Sequence, residues 1–169
     1  VSTVFPDGEK PKRILASIAD FQRDYFEDVQ LQLSLISTSE EYRRKTAGIK
    51  LASFNTIKNE SAKWFKMIPS ARKWNISLMM TDSNPFDMEA LKKYFSPEFF
   101  RIRLRLYVPT KNGKDKDLVC ASKYDYERIK DSLRNFGYDV GDWAVPTPVE
   151  QRFKLASNVT RRRYLEMIS

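Results

Sequence analysis

The chain has no histidine and one cysteine, Cys120, among its 169 residues. A disulfide framework is therefore excluded, and neither a Cys/His zinc site nor a histidine-based triad can be built from these residues. The chain cannot hold an iron–sulfur cluster on its own cysteines either, because such clusters take about four thiolates or their equivalents. No apolar run approaches the roughly 18 residues of a membrane-spanning helix, and no secretory signal is visible. No membrane partner is expected, and a reducing, cytoplasmic setting is. There is no internal repeat and no low-complexity segment.

What is present describes a globular chain. Hydrophobic residues make up 41% and aromatics 13%, enough to bury a core, and the length fits a single domain over residues 1–169. Lys and Arg number 30 against 22 Asp and Glu, a net charge of +8. That excess invites an anionic partner, nucleic acid or a phosphorylated ligand, but says nothing about fold. The opening "VSTVFPDG" has no methionine and reads as the end of a strand running into a turn. The chain is therefore expected to be the C-terminal part of a longer protein.

After that turn, Ile14, Leu15, Ile18, Phe21 and Tyr25 recur at helical spacing. "VQLQLSLI" (29–36) alternates Val29, Leu31, Leu33 and Leu35 with Gln30, Gln32 and Ser34. Thr38 followed by Glu41 resembles a capping box opening a short charged helix. A longer helix is expected over 53–68, ending before Pro69. "KWNISLMMT" (73–81) alternates Trp74, Ile76, Leu78 and Met80 with Asn75, Ser77 and Met79. A helix at 87–95 precedes "FRIRLRLYV" (100–108). Tyr126, Ile129, Leu133 and Phe136 then stripe a helix over 124–137, with Gly137 where a C-terminal cap belongs. A strand near 138–145 and a basic terminal helix, "SNVTRRRYLEMI", complete the pattern.

Strand and helix alternating at this spacing predict an α/β fold of βαβ units with parallel strands. Strands of such sheets usually read as continuous apolar runs. Here three successive strands have a polar side: Gln30/Gln32/Ser34, Asn75/Ser77 and Arg101/Arg103/Arg105. Helices on one face and an open, wet cavity on the other account for all three, as in a partial barrel holding a ligand. Arginines two residues apart on that face suit phosphate or carboxylate, which guanidinium pairs bidentately. The alternative is an exposed edge strand with arginines solvated or paired with nearby Asp and Glu. Cys120, in "LVCAS", reads as a buried structural residue.

"VSTV", "LQLSLISTSEEYRRK" and "RIRLRLYVPTKNG", in that order, resemble the C-terminal half of radical S-adenosylmethionine (radical SAM) enzymes, closest to the ribosomal RNA adenosine methyltransferase branch. The resemblance implies half of an open, partial (βα)6 barrel with parallel strands. It implies S-adenosylmethionine contacts at Ser2, matching the serine of V-S-T, and at Ser34 with its neighbour Leu35, matching S-L-H. Arg43 falls where the family's arginine follows an acidic pair, here Glu40-Glu41. With Arg101, Arg103 and Arg105 it is the expected substrate-binding set. The 4Fe-4S cluster would belong only to the full-length protein, since the family's C-x-x-x-C-x-x-C loop lies in an N-terminal half not contained in this sequence. That half is the implied partner, alongside an anionic substrate.

The departures bear on chemistry. The family's histidine is Ile36 here, the asparagine before the late proline is Val108, and the methyl-accepting cysteine aligns with Val159. Valine offers neither an amide nor a nucleophile. The chain alone is expected to be inactive. Two alternatives stand beside this: a catalytically degenerate relative, and a basic α/β module binding RNA through "RRR" (161–163) and Trp64, Trp74 and Trp143.

Overall fold

The structure, a computed structural model, describes residues 1–25, 29–107 and 118–142. Their elements run β1 (Ser2–Thr3), α1 (Glu9–Tyr25), β2 (Gln32–Leu35), α2 (Glu40–Thr46), α3 (Phe54–Met67), β3 (Trp74–Met80), α4 (Met88–Tyr94), β4 (Phe100–Leu106), α5 (Lys123–Asn135) and β5 (Val140–Asp142). The five strands form one sheet in the order β1-β2-β3-β4-β5, every neighbouring pair parallel. The α/β class and the parallel strands are as the sequence predicts.

Strand order that follows sequence order has a physical consequence. Twisted strands favour right-handed crossovers, and with this order such crossovers put successive helices on the same side of the sheet. The packing agrees. Thr3, Leu33, Ile76, Ile102 and Val140 are aligned across all five strands, and Leu35, Leu78 and Leu104 form the next row on the same face. All but Thr3 are buried, in one core with Ala19, Phe54, Ile57, Trp64, Leu91, Phe95, Ile129 and Leu133 from the helices. Trp74 anchors the strand ends, edge-on to Trp64 at 6.0 Å and to Phe100 at 5.9 Å.

Helix starts are fixed by side-chain caps that satisfy the first free amides. Ser53 accepts from the Thr56 amide at 3.0 Å, Asp87 from Ala90 at 2.9 Å and Ser122 from Asp125 at 3.0 Å. The α2 cap is Ser39, one residue beyond the expected Thr38, and Thr38 instead holds Pro85 and Asp87 through its hydroxyl. Gly137, at φ 86°, ends α5 in the left-handed conformation a C-terminal cap requires.

Two stripes differ from expectation. Phe136 is outside the core, its ring covered by Lys92 Nζ at 3.3 Å. Along α1, Ile14, Phe21 and Tyr25 are exposed, Leu15 and Ile18 are partly buried against the core, and Ala19 and Gln22 are fully turned inward. Cys120 is only half-buried, in an isolated bridge with Thr81, and burial pushes its thiol pKa up, leaving it protonated and unreactive near neutral pH. The predicted terminal helix, with Val159 and residues 161–163, lies outside the described residues, as do Val108 and Trp143.

Tyr138 joins β5 to α4 by donating its hydroxyl to the Phe95 carbonyl at 2.5 Å, and burial pushes its pKa up to about 12. The folded state thus keeps a proton that the unfolded chain loses near pH 10, and this contribution to stability is lost as pH rises from 10 to 12. Tyr138→Phe is expected to cost about 1 kcal/mol near neutral pH. Urea titrations at increasing pH should show that deficit shrinking and then reversing between pH 10 and 12; a deficit independent of pH would contradict the assignment.

Candidate functional site

The other face of the sheet is built from the alternate residues of the same strands. One row runs Ser2, Gln32, Asn75, Arg101, and the next runs Ser34, Ser77, Arg103, Gly141. Met79 and Arg105 pair in the row after that, towards the carboxyl ends of the strands. In parallel sheets ligand sites collect at that end. The rows change character from side to side: hydroxyl and amide groups over β1 to β3, then three guanidinium groups on β4.

The arginine strand is not an edge. β4 lies between β3 and β5, which removes the alternative of arginines solvated at a sheet margin. All three arginines are half-buried, but they do not form a uniform ladder. Arg101 leans towards β5, with its Nε 3.2 Å from Asp139 Oδ2 and its Nη2 3.5 Å from where a Cβ on Gly141 would stand. The Nε–H finds no hydrogen-bond acceptor despite the ion pair. Arg103 and Arg105 project from the same face of β4, two residues apart. Burial, and then the charge of Arg103, lower the pKa of Arg105.

On the β1–β2 side, Ser2 Oγ and Ser34 Oγ are 3.4 Å apart, and Gln32 Nε2 donates to Ser2 Oγ at 3.3 Å. The sequence expectation thus brings Ser2 and Ser34 together on the polar face. Leu35 does not join them. Strand alternation turns it to the helix side, where it is 1% exposed, so only its backbone could meet a ligand. Gln30 is occupied structurally, donating to the carbonyls of Leu31 and Lys73.

Arg43 departs from its expected substrate role. It is 0% exposed and donates through Nη1 to Ala52 O and through Nη2 to Val4 O, both at 2.7 Å. Desolvation brings its pKa down to about 10, still charged near neutral pH. Its work lies in the turn after β1. Phe5 takes a left-handed φ of 55°, costly for a bulky side chain. That turn is held by Thr3 Oγ1 accepting from the Phe5 amide, by Ala52 N donating to Phe5 O, and by Arg43 on Val4 O. Arg43 is a positioning residue for β1, and so for Ser2.

Several polar groups here are ones the sequence expectation did not single out as site residues. Asn75 is 5% exposed and Ser77 6%, and Asn75 Oδ1 has no hydrogen-bond partner. Just past β3, Thr81 Oγ1 is equally unpaired. Asn84 donates to Ile36 O and Met79 O, clamping the ends of β2 and β3, and its Oδ1 is left unpaired. The alternation of 73–81 pointed to Asn75 and Ser77; nothing in the sequence distinguishes a paired amide from an orphaned one. Trp64 and Trp74 are core residues, 2% and 3% exposed, and offer no face for a base to stack on. Among the described residues no group of three or more His, Cys, Asp and Glu could hold a metal ion, and no helix is long and apolar enough to cross a membrane.

No protein-family model matches the chain, and no curated protein does. The fold is similar to that of a radical SAM methyltransferase from Sphaerobacter thermophilus, with a TM-score of 0.61 and 16% sequence identity. The match covers 85% of this chain but 39% of that one, so this chain spans well under half the length of its neighbour. At this identity the likeness is one of fold.

The role of Arg43 is open to direct measurement. Arg43→Met would leave the Val4 and Ala52 carbonyls without their charged donor, and the expected loss is about 2–4 kcal/mol in urea unfolding. An unchanged or raised midpoint would mean that desolvating the guanidinium costs more than its two hydrogen bonds return.

Proposed function

We infer that the chain is the cofactor- and substrate-lining C-terminal half of a radical SAM-type enzyme acting on an anionic substrate, inactive without an N-terminal half that brings the cluster. The observation that carries this is the sheet itself: among the described residues, five parallel strands in sequential order with the helices on one face, and serine, asparagine and arginine side chains on the other. A (βα)-barrel wall has this arrangement, its inward face being where ligands are held. The resemblance of "VSTV" and "LQLSLISTSEEYRRK" to the family, and the fold likeness to a radical SAM methyltransferase, point the same way.

The residues fit the two cofactors differently. Ser2 and Ser34, hydroxyls adjacent at the β1–β2 side, suit the polar groups of S-adenosylmethionine, which when bound supplies the family's radical or methyl group. The cluster does not fit: one cysteine and no histidine leave nothing to ligate it, and no step is assigned through it here. Its ligands belong to the proposed partner half. A place for that half exists beside β1, where Val1, Ile14, Phe21 and Val29 line a groove of about 770 Å³ rimmed by Lys10 and Arg13. In this reading Arg103 and Arg105 orient the anionic substrate, and the helix-covered core excludes water from behind.

Reading the source gene upstream of the Val1 codon tests the assignment. An open frame of a hundred or so further residues containing C-x-x-x-C-x-x-C is expected, and the full-length protein, reconstituted anaerobically, should cleave S-adenosylmethionine. An upstream frame without that motif would remove the enzyme reading and leave a binding module.

A further inference from the structure

We propose that the groove beside β1 is closed by an amphipathic helix from the segment immediately upstream of Val1, running parallel to α1 and presenting acidic residues to Lys10 and Arg13. This rests on reading the chain as the C-terminal half of a longer enzyme. It specifies which part of the other half meets this one, and with what surface.

The sheet edge here is open. Ile14, Phe21 and Tyr25 stand exposed along α1, with the Phe21 and Tyr25 rings 4.9 Å apart, and Val1 is exposed as well. The groove of about 770 Å³ shares Val1, Lys10, Ile14 and Ile18 with a second recess of about 490 Å³, whose lining includes Leu31, Leu33 and Trp74 of the core. The layer between helices and sheet is therefore unsealed at its β1 edge. A contiguous apolar strip leading into a core marks a surface that something covers, since burying it gains about 25 cal/mol per Å².

Topology identifies the occupant. The strands run β1 to β5 in sequence order, every pair parallel, and among the described residues β1 pairs only with β2. A preceding βα unit of the same kind adds its strand to the free side of β1. Its right-handed crossover then sets its helix on the helix-covered face, next to α1 and parallel to it. The groove lies at that place.

Charge sets the surface of that helix. Glu9 is taken by Lys12, and Asp20 and Asp24 share Arg23. Lys10 and Arg13, on the groove rim, are left without a carboxylate partner among the described residues. Lys10 stands in the first turn of α1, where the helix dipole disfavours a cation, so the stability of α1 does not call for it. A parallel neighbour with Asp or Glu in its own first two turns meets both cations, and acidic residues there also suit its own dipole.

Comparing the full-length protein with the 169-residue chain tests this. The translated segment before Val1 should carry apolar residues at helical spacing, with Asp or Glu in the first two turns. Arg13 should react with phenylglyoxal several-fold more slowly in the full-length protein than in the shorter chain. Phe21→Ser and Lys10→Glu should each lower the Tm of the full-length protein by about 3 °C or more and leave that of the shorter chain unchanged or higher. Equal labelling of Arg13 in the two, or equal Tm shifts, overturns the proposal. So does a full-length dimer that Phe21→Ser dissolves, which gives the groove to a second copy. A full-length protein that carries C-x-x-x-C-x-x-C but leaves Arg13 open removes this interface and keeps the enzyme reading; a covered Arg13 without that motif does the reverse.

Discussion

Parallel pairing of strands in their sequence order is the constraint on which everything else here depends. If the strand order reversed midway, right-handed crossovers would place helices on both faces, and each strand would need two apolar sides. Without a reversal one face receives all the described helices. The other is then free to carry Ser2, Ser34, Gln32, Asn75, Ser77 and three arginines without burying unpaired charge in a core. The polar composition of the strands and the absence of a switch point are two expressions of one topology.

The edge of that sheet needs support that pairing alone does not give. β1 is two residues long and pairs only with β2 among the described strands, and its exit turn contains Phe5 at a positive φ. A buried arginine reaching Val4 O and Ala52 O closes this turn against the segment leading into α3. Glu40 adds to it by accepting from the Phe54 amide, joining the starts of α2 and α3. The position of Ser2 beside Ser34 is thus set by Arg43, which lies outside the polar rows.

Much of this was legible locally, and the exceptions have physical causes. β3 and β4 follow from strict alternation, and α5 from its stripe and Gly137; its Ser122 cap appears only in the structure. The exposure of Ile14, Phe21 and Tyr25 could not be read, because periodicity gives the direction of an apolar stripe but not whether anything covers it. Arg43 sits in "SEEYRRKT", read as a short charged helix; its neighbour Arg44 is exposed and pairs with Glu40, while Arg43, one position earlier, faces the β1 turn. For Leu35, alternation with Ser34 already put its side chain on the apolar face, where the structure has it buried, so the contact implied by the family resemblance would fall to its backbone. The orphaned amide of Asn75 is a property of three-dimensional pairing and leaves no trace in the sequence.

The central claim is that the arginines divide between those of the polar face, partly exposed on β4, and Arg43, sealed beneath the β1 turn. Phenylglyoxal labelling of the native chain, mapped by mass spectrometry, tests it most directly because it compares arginines within one molecule. Arg103 and Arg105, half-buried on the polar face, should label more slowly than exposed Arg13 but measurably, while Arg43 at 0% exposure stays unmodified until the protein unfolds. Labelling of Arg43 at the rate of Arg13, with Arg103 and Arg105 silent, would show the buried and exposed arginines the other way round and contradict the account.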